Sequence, residues 1–329
     1  MSRLHLTLAI SEYDHTRDVC SGVVTVEGID LTHLNLPIEE MHFRFTKFRE
    51  WDVSEMSLGK YVSLLSQDDR SMVAIPVFPN RAFRHSSYYV RRDSELTDPT
   101  QLVGKRVGVP EWAQTAGIFA RGVLTDQYGV QLSAIEWWQA GVNEPGRIEK
   151  VELRLPRGVT IRPAPERTLT AMLLAGELDA VISAHPPEPF KQEDSNIVQL
   201  FHDVRAVEEA YWRTTGIFPI MHIIAIRREV FDRHRWVAMN LYKAFDAARR
   251  RSLHRISELT ASRVPVPWLA DYVERWRPLF GPEYWPYGLE ANRTTLEAFC
   301  RYAFEQGVCH RKVAAEELFP PEVLSAFRI

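Results

Sequence analysis

Cysteine is scarce in this chain. Cys20, Cys300 and Cys309 are the three present among 329 residues, too few and too scattered for a disulfide framework or a zinc ribbon. No apolar run reaches the length that spans a bilayer, so no membrane partner is expected. The first ten residues, MSRLHLTLAI, lack the apolar core and cleavage site of a secretion signal, and the expected location is the cytoplasm. Charge is nearly balanced, with a formal net charge of -3. The arginines are offset by acids rather than massed, which leaves no electrostatic footprint for nucleic acid. GxGxxG, Walker and GxSxG patterns are all absent, which argues against nucleotide cofactors and serine-hydrolase chemistry. The expected partner is small, and no cofactor is expected.

What is present is an alternation of short apolar strands and amphipathic helices. Strands are expected at Leu4–Ile10, Met72–Val77, Tyr88–Val90, Val159–Arg162 and in the isoleucine-rich run Ile217–Ile226. A further short buried strand follows Gly104. Helices are expected over Met41–Phe48, Gly59–Leu65, Gln114–Tyr128, Leu169–Ala175, Trp236–Leu253, Pro267–Leu279 and Thr294–Gln306. Pro145–Pro165, rich in proline and charge, is expected to be a surface excursion. Glu50-Trp51-Asp52-Val53 and Glu177-Leu178-Asp179-Ala180 echo one another, each at the end of a helix and before a strand. With the strand–helix order, the echo suggests two similar α/β lobes. Lobe one is assigned residues 1–90 and 222–329, with the helical C-terminal region wrapped on it, and lobe two residues 91–221. Two crossings between lobes would make a hinge and a cleft.

Arg81, Arg84, His85 and Ser86 stand between the apolar Pro76–Phe78 and the aromatic Tyr88-Tyr89. Guanidinium forks match carboxylates bidentately, so this stretch is the first candidate for holding a small acid; the competing reading is a structural ion pair. Glu111 and Thr115 lie where a strand hands over to a helix N-terminus, a place that binds anions. Thr115 could equally be a cap. His85, His185 and His222 are candidate acids or bases, though His222, inside an apolar run, also fits a core histidine. Tyr13, Asp14 and Arg17 follow the first strand, and Ser54, Glu55 and Ser57 follow the lobe-one echo; these could reach a cleft or simply cap turns. No close-spaced ligand pair supports a metal, and a site without metal is expected.

Several of these motifs resemble one family. EYDHTR (12–17), DVSEMS (52–57), AIPVFP (74–79), FRHS (83–86), GKRVGVPE (104–111) and TGIFPIMH (215–222) are similar to the 4,5-dihydroxyphthalate decarboxylases. So are WPYGLE (285–290) and EELF (316–319) near the C-terminus. The resemblance runs nearly end to end. It implies a type II periplasmic-binding-protein-like fold, α/β and two-lobed, with the ligand in the cleft between lobes. It also implies a carboxy-lyase that takes a small aromatic dicarboxylate, 4,5-dihydroxyphthalate, to protocatechuate and CO2 in phthalate degradation.

Under that implication Arg81 and Arg84 bind carboxylate, with Ser86 beside them and Thr115 as a second anchor. His85 is the first choice to protonate the ring carbon, and His222 or His185 would act on the phenol. Glu55, Glu111 or Asp14 would bond to a ring hydroxyl or orient a histidine, and Ser54 lines the site. Two alternatives stand beside this reading: a non-catalytic cytoplasmic binding protein for a small aromatic acid, and a metal-assisted decarboxylase. The aromatic-rich C-terminal half offers a surface for homo-oligomer formation.

Overall fold

A computed structural model describes residues 3–258, 260–261 and 263–324. Eleven strands are found among them: β1 (Leu4–Ala9), β2 (Ile29–Leu34), β3 (Val53–Ser57), β4 (Met72–Ile75), β5 (Tyr88–Arg91), β6 (Arg106–Val109), β7 (Glu136–Gly141), β8 (Ile161–Thr168), β9 (Ala180–Ile182), β10 (Ile197–Gln199) and β11 (His222–Arg227). They form two sheets, ordered β2-β1-β3-β11-β4 and β10-β5-β9-β6-β7-β8. Each sheet with its flanking helices is one lobe of a two-lobed α/β fold.

In the first sheet β1 runs parallel to β2 and β3. β11 returns from the second lobe and inserts antiparallel between β3 and β4. In the second sheet β6 is parallel to β7 and β9, while β5 is antiparallel to β9 and β10. The chain therefore crosses between Ile75 and Tyr88 and comes back between Gln199 and His222. β5 begins at Tyr88, ahead of residue 90, and already lies in the second sheet.

The two crossings run side by side. Met221 N donates to Asn80 O (2.8 Å) and Ala82 N to Pro219 O (3.2 Å), and Arg81 and Ile220 form an antiparallel bridge. The connection is thus a short two-stranded ribbon, and residues adjoining it are held close to both lobes.

The Glu-apolar-Asp-apolar echo has a structural cause. Asp52, just before β3, accepts from the Thr7 backbone N–H (2.9 Å) and pairs with Arg227 (2.9 Å). Asp179, just before β9, accepts from the Arg106 backbone N–H (2.8 Å) and pairs with Arg106 itself (2.9 Å). In each lobe the aspartate before one strand accepts from a backbone amide of a neighbouring strand.

Other expectations need adjusting. β2, β7, β10 and the helix Val204–Thr215 are elements for which the sequence pattern gives no expectation. The excursion after Pro145 does not stay on the surface, since Arg147 and Lys150 turn inward onto Glu111. The C-terminal helix Arg293–Glu305 does not serve the first lobe alone. Phe299 lies 4.9 Å from the Phe119 ring, and the fully buried Arg121 donates to Gln306 Oε1 (2.9 Å). Both Phe119 and Arg121 belong to the second-lobe helix Thr115–Tyr128. Cys20, Cys300 and Cys309 are free thiols. No helix among the described residues is long and apolar enough to cross a membrane.

Candidate functional site

All five residues of β3 are buried, although its sequence is Val-Ser-Glu-Met-Ser. A buried strand carrying a carboxylate must supply partners for it. Glu55 is fully buried and has three. The Ser11 backbone N–H donates to Oε2 (3.0 Å), the Tyr13 hydroxyl donates to Oε1 (2.6 Å), and His222 Nδ1 lies 2.5 Å from Oε1. Pairing in the sheet explains the last contact. Glu55 sits opposite Ile224, so His222, two residues back on β11, is its diagonal neighbour on the same face. Burial opposes charge on Glu55, but the bond to His222, that residue's charge, the Tyr13 hydroxyl and the Ser11 amide together hold its carboxyl below the usual range. Burial, and then Glu55, push the Tyr13 phenol far upward, so it remains a donor.

The helix Ile38–Phe48 lies over this face and buries Met41, His42 and Phe45. The His42 ring meets the His222 ring edge-on at 4.6 Å. Burial, then the neighbouring His222, Lys60 and Lys150, keep His42 neutral by lowering its pKa well below the ordinary histidine value.

A second polar cluster stands across the lobe boundary. Glu111, only 1% exposed, is ringed by Lys60 (3.5 Å), Arg147 (2.5 Å) and Lys150 (3.3 Å). Lys60 comes from the first-lobe helix Leu58–Ser66; the other three belong to the second lobe. Burial lowers the Lys60 pKa against the pull of Glu111. Arg147 also reaches Glu39 (2.9 Å), and His185 Nε2 lies 3.6 Å from that same carboxylate. A cavity of about 300 Å³ opens beside these groups, lined by Glu39, Gln114, Asn143, Arg147, Ser183 and His185 among others. Another of about 380 Å³, under the helix Leu269–Phe280, is walled by aromatic rings such as Phe83, Phe218, Trp276 and Trp285.

The anion-binding loop expected at Glu111–Thr115 does bind a carboxylate, but an internal one. Trp112 N and Ala113 N donate to Glu149 Oε2 (2.6 and 3.2 Å). Thr115 is the first residue of its helix, not the cap. Its Oγ1 accepts from Gly59 N (2.9 Å) and lies 3.0 Å from Ser57 Oγ. It therefore joins the two lobes. Ser54 donates to the Glu55 carbonyl (2.8 Å).

The remaining sequence candidates are not brought into this cluster. Arg81, 6% exposed, donates to Phe218 O (3.3 Å), Pro286 O (2.7 Å) and Asn292 Oδ1. Its guanidinium lies over the Phe78, Phe218 and Trp285 rings. That fork clasps the crossing ribbon to the C-terminal loop. Arg84 Nε lies 3.1 Å from Met221 Sδ. Ser86 N donates to Glu208 (3.3 Å). His85 is fully buried, with Nε2 3.0 Å from Gln127 Oε1 and its ring against Phe201 and Tyr211. Asp14 is held by Ser252 (2.6 Å), Arg255 (3.1 Å) and Arg17 (3.0 Å).

Of the residues singled out from sequence, Tyr13, Glu55 and His222 meet in one cluster, and Glu111 and His185 in the other. His42, Lys60, Arg147 and Lys150 were missed. The signal that could have found the last two was the placing of cations in a proline-punctuated loop after a buried strand.

No family model matches the sequence. A 4,5-dihydroxyphthalate decarboxylase of Comamonas testosteroni is 36% identical over 330 residues, covering 100% of both chains. The chain belongs to the 4,5-dihydroxyphthalate decarboxylase family. A second member, from Pseudomonas putida, is 36% identical over 214 residues, covering 65% of this chain and 83% of that one. The family is one of carboxy-lyases. Among solved structures, the periplasmic aliphatic sulphonate-binding protein of Escherichia coli superposes with a TM-score of 0.56 at 11% identity, covering 97% of this chain and 98% of that one. That likeness concerns the fold, which is the type II periplasmic-binding-protein architecture, with a cleft between its lobes.

Proposed function

We propose that this protein decarboxylates 4,5-dihydroxyphthalate to protocatechuate and CO2, without oxidation, in the cleft between the Glu111 and Glu55 clusters. Similarity to a decarboxylase of that name over the whole of both chains carries the choice of substrate. The two-ended chemistry of the cleft supports it. Lys60, Arg147 and Lys150 suit two carboxylates, since charge-assisted bonds to such acids are the strong ones. At the other end Glu55, His222 and Tyr13 suit ring hydroxyls, which both donate and accept.

The reaction needs a proton on the ring carbon that bears the departing carboxylate. Electron density from the hydroxyl para to that carbon relieves the positive charge. The C–C bond then breaks, its electron pair restores the aromatic ring, and CO2 leaves, with one proton consumed per turnover. Lys60 is our choice of proton donor. It is a buried ammonium that faces Glu111 at 3.5 Å and acts electrostatically on His42 of the other cluster, burial lowers its pKa, and such tuning suits general-acid work. The Glu55–His222 pair hydrogen-bonds to the para hydroxyl and polarises it. His185, at the cavity edge, reads the outer carboxylate with Arg147.

The experiment is incubation of purified protein with 4,5-dihydroxyphthalate, following CO2 and protocatechuate. Equal amounts of both are expected, with turnover lost at least a hundredfold in Lys60→Met while the substrate still raises the melting temperature of that variant. Ligand-induced stabilisation of the unaltered protein with no CO2 would overturn the reading in favour of a binding protein.

A further inference from the structure

The helix Ile38–Phe48 presents Met41, His42 and Phe45 to the protein interior. Met41 and Phe45 are core residues without exposure, as a helix face against a sheet requires. His42 shares that burial at 6% exposure, yet its Nε2 has no hydrogen-bond partner. A buried polar nitrogen left unpaired costs about 1–3 kcal/mol, and such an atom in a folded protein calls for a reason.

The reason lies in what surrounds it. His42, Glu55 and His222 each offer one ligand atom, and the three atoms lie within 4.8 Å of one another. We propose that these three side chains bind one divalent transition-metal ion, whose open face takes the adjacent hydroxyls of the aromatic substrate. Two imidazoles and one carboxylate suit zinc, cobalt or ferrous iron rather than calcium or magnesium.

The outer groups are in place. Tyr13 and the Ser11 amide fix the Glu55 carboxylate, as partners behind metal ligands do. Ligand atoms around an ion at ~2.1 Å stand about 3.4 Å apart in a tetrahedral site. His222 Nδ1 and Glu55 Oε1, now 2.5 Å apart, would open by roughly that difference, with the ion replacing the hydrogen bond between them. His222 keeps 13% side-chain exposure, so the cluster is not sealed from solvent. An ortho-dihydroxy ring presents two oxygens at one edge and can complete the coordination. The identity of that last ligand rests on the decarboxylase reading; uptake of the ion does not.

The test is titration of metal-stripped, tag-free protein with Co2+, read by calorimetry and by visible absorption. One ion per chain is expected, with affinity at least tenfold lower in His42→Ala and in His42→Asn. Thermal melts of both variants establish that they are folded. Protocatechuate should change the Co2+ spectrum, and 4-hydroxybenzoate, which lacks the second hydroxyl, should not. Absence of saturable uptake, or unchanged affinity in the folded His42 variants, would overturn the proposal. An unchanged spectrum with protocatechuate overturns the coordinated diol. If stripped protein releases CO2 from 4,5-dihydroxyphthalate and takes up no Co2+, the metal site falls and the decarboxylase stands. His42-dependent uptake with no CO2 released under any metal gives the reverse.

Discussion

Glu208 shows how a single side chain records the cost of burial. Its carboxylate accepts from the Ser86 amide (3.3 Å) beside Arg84, yet burial raises its pKa to about 7. A folded pKa above the unfolded value means that the native state binds the proton more tightly. Stability from this group is therefore fully present below the ordinary carboxylate pKa and is lost as pH rises towards about 7. Glu208→Gln should melt higher than the unaltered protein at pH 8, and the gap should close by pH 4.5. A gap of equal size at both pH values would refute this. Residues of this kind also mark what the sequence conceals. RAFRHS (81–86) announces two cations and a histidine, but no spacing shows that Arg81 will meet Pro286 and Asn292, more than two hundred residues away. Those partners exist only once the C-terminal loop has folded back. His85 was just as ambiguous, since an imidazole packed by Phe201 and Tyr211 and one facing a ligand have the same local sequence.

At the scale of elements the sequence was easier to read. Strands such as Leu4–Ala9 and helices such as Thr115–Tyr128 and Trp236–Ser257 fall within a few residues of where apolar periodicity put them. β3 was harder to see, because its buried face carries serine and glutamate, and polar burial defeats a pattern built on hydrophobicity. The aspartate echo marked both strand entries correctly for a reason that can be tested. Asp179→Ala removes an acceptor from the Arg106 amide and an ion pair and should cost about 1–3 kcal/mol, read as a lower urea midpoint. Asp179→Asn, which keeps an acceptor for the amide, should lose less. Equal losses would mean that the charge, not the amide, is what matters.

For the whole molecule, the decisive feature is the seam where the lobes meet. A Cβ on Gly59 would stand 2.7 Å from the Ala113 carbonyl oxygen and 3.2 Å from Thr115 Oγ1, so only glycine lets the two helix N-termini approach this closely. Gly59→Ala should shift the lobes apart, lowering both the melting temperature and turnover, whereas Gly129→Ala, at an open helix end, should leave turnover within about twofold. Two lobes, a cleft and a ribbon of two crossings were legible from element order alone. The inward turn of Arg147 and Lys150 was not, because it depends on Glu111 being buried on the opposite side of the loop. On the proposed function, that turn makes Arg147 rather than Arg81 the carboxylate-binding arginine. The most direct measurement is turnover against 4,5-dihydroxyphthalate concentration for Arg147→Met and Arg81→Lys, each shown to be folded. Losing one charge-assisted bond to a carboxylate, worth about 1.5–3 kcal/mol, should raise KM roughly ten- to a hundredfold in Arg147→Met. Arg81→Lys should melt earlier with KM nearly unchanged. A KM raised in Arg81→Lys and normal in Arg147→Met would contradict the cleft assignment.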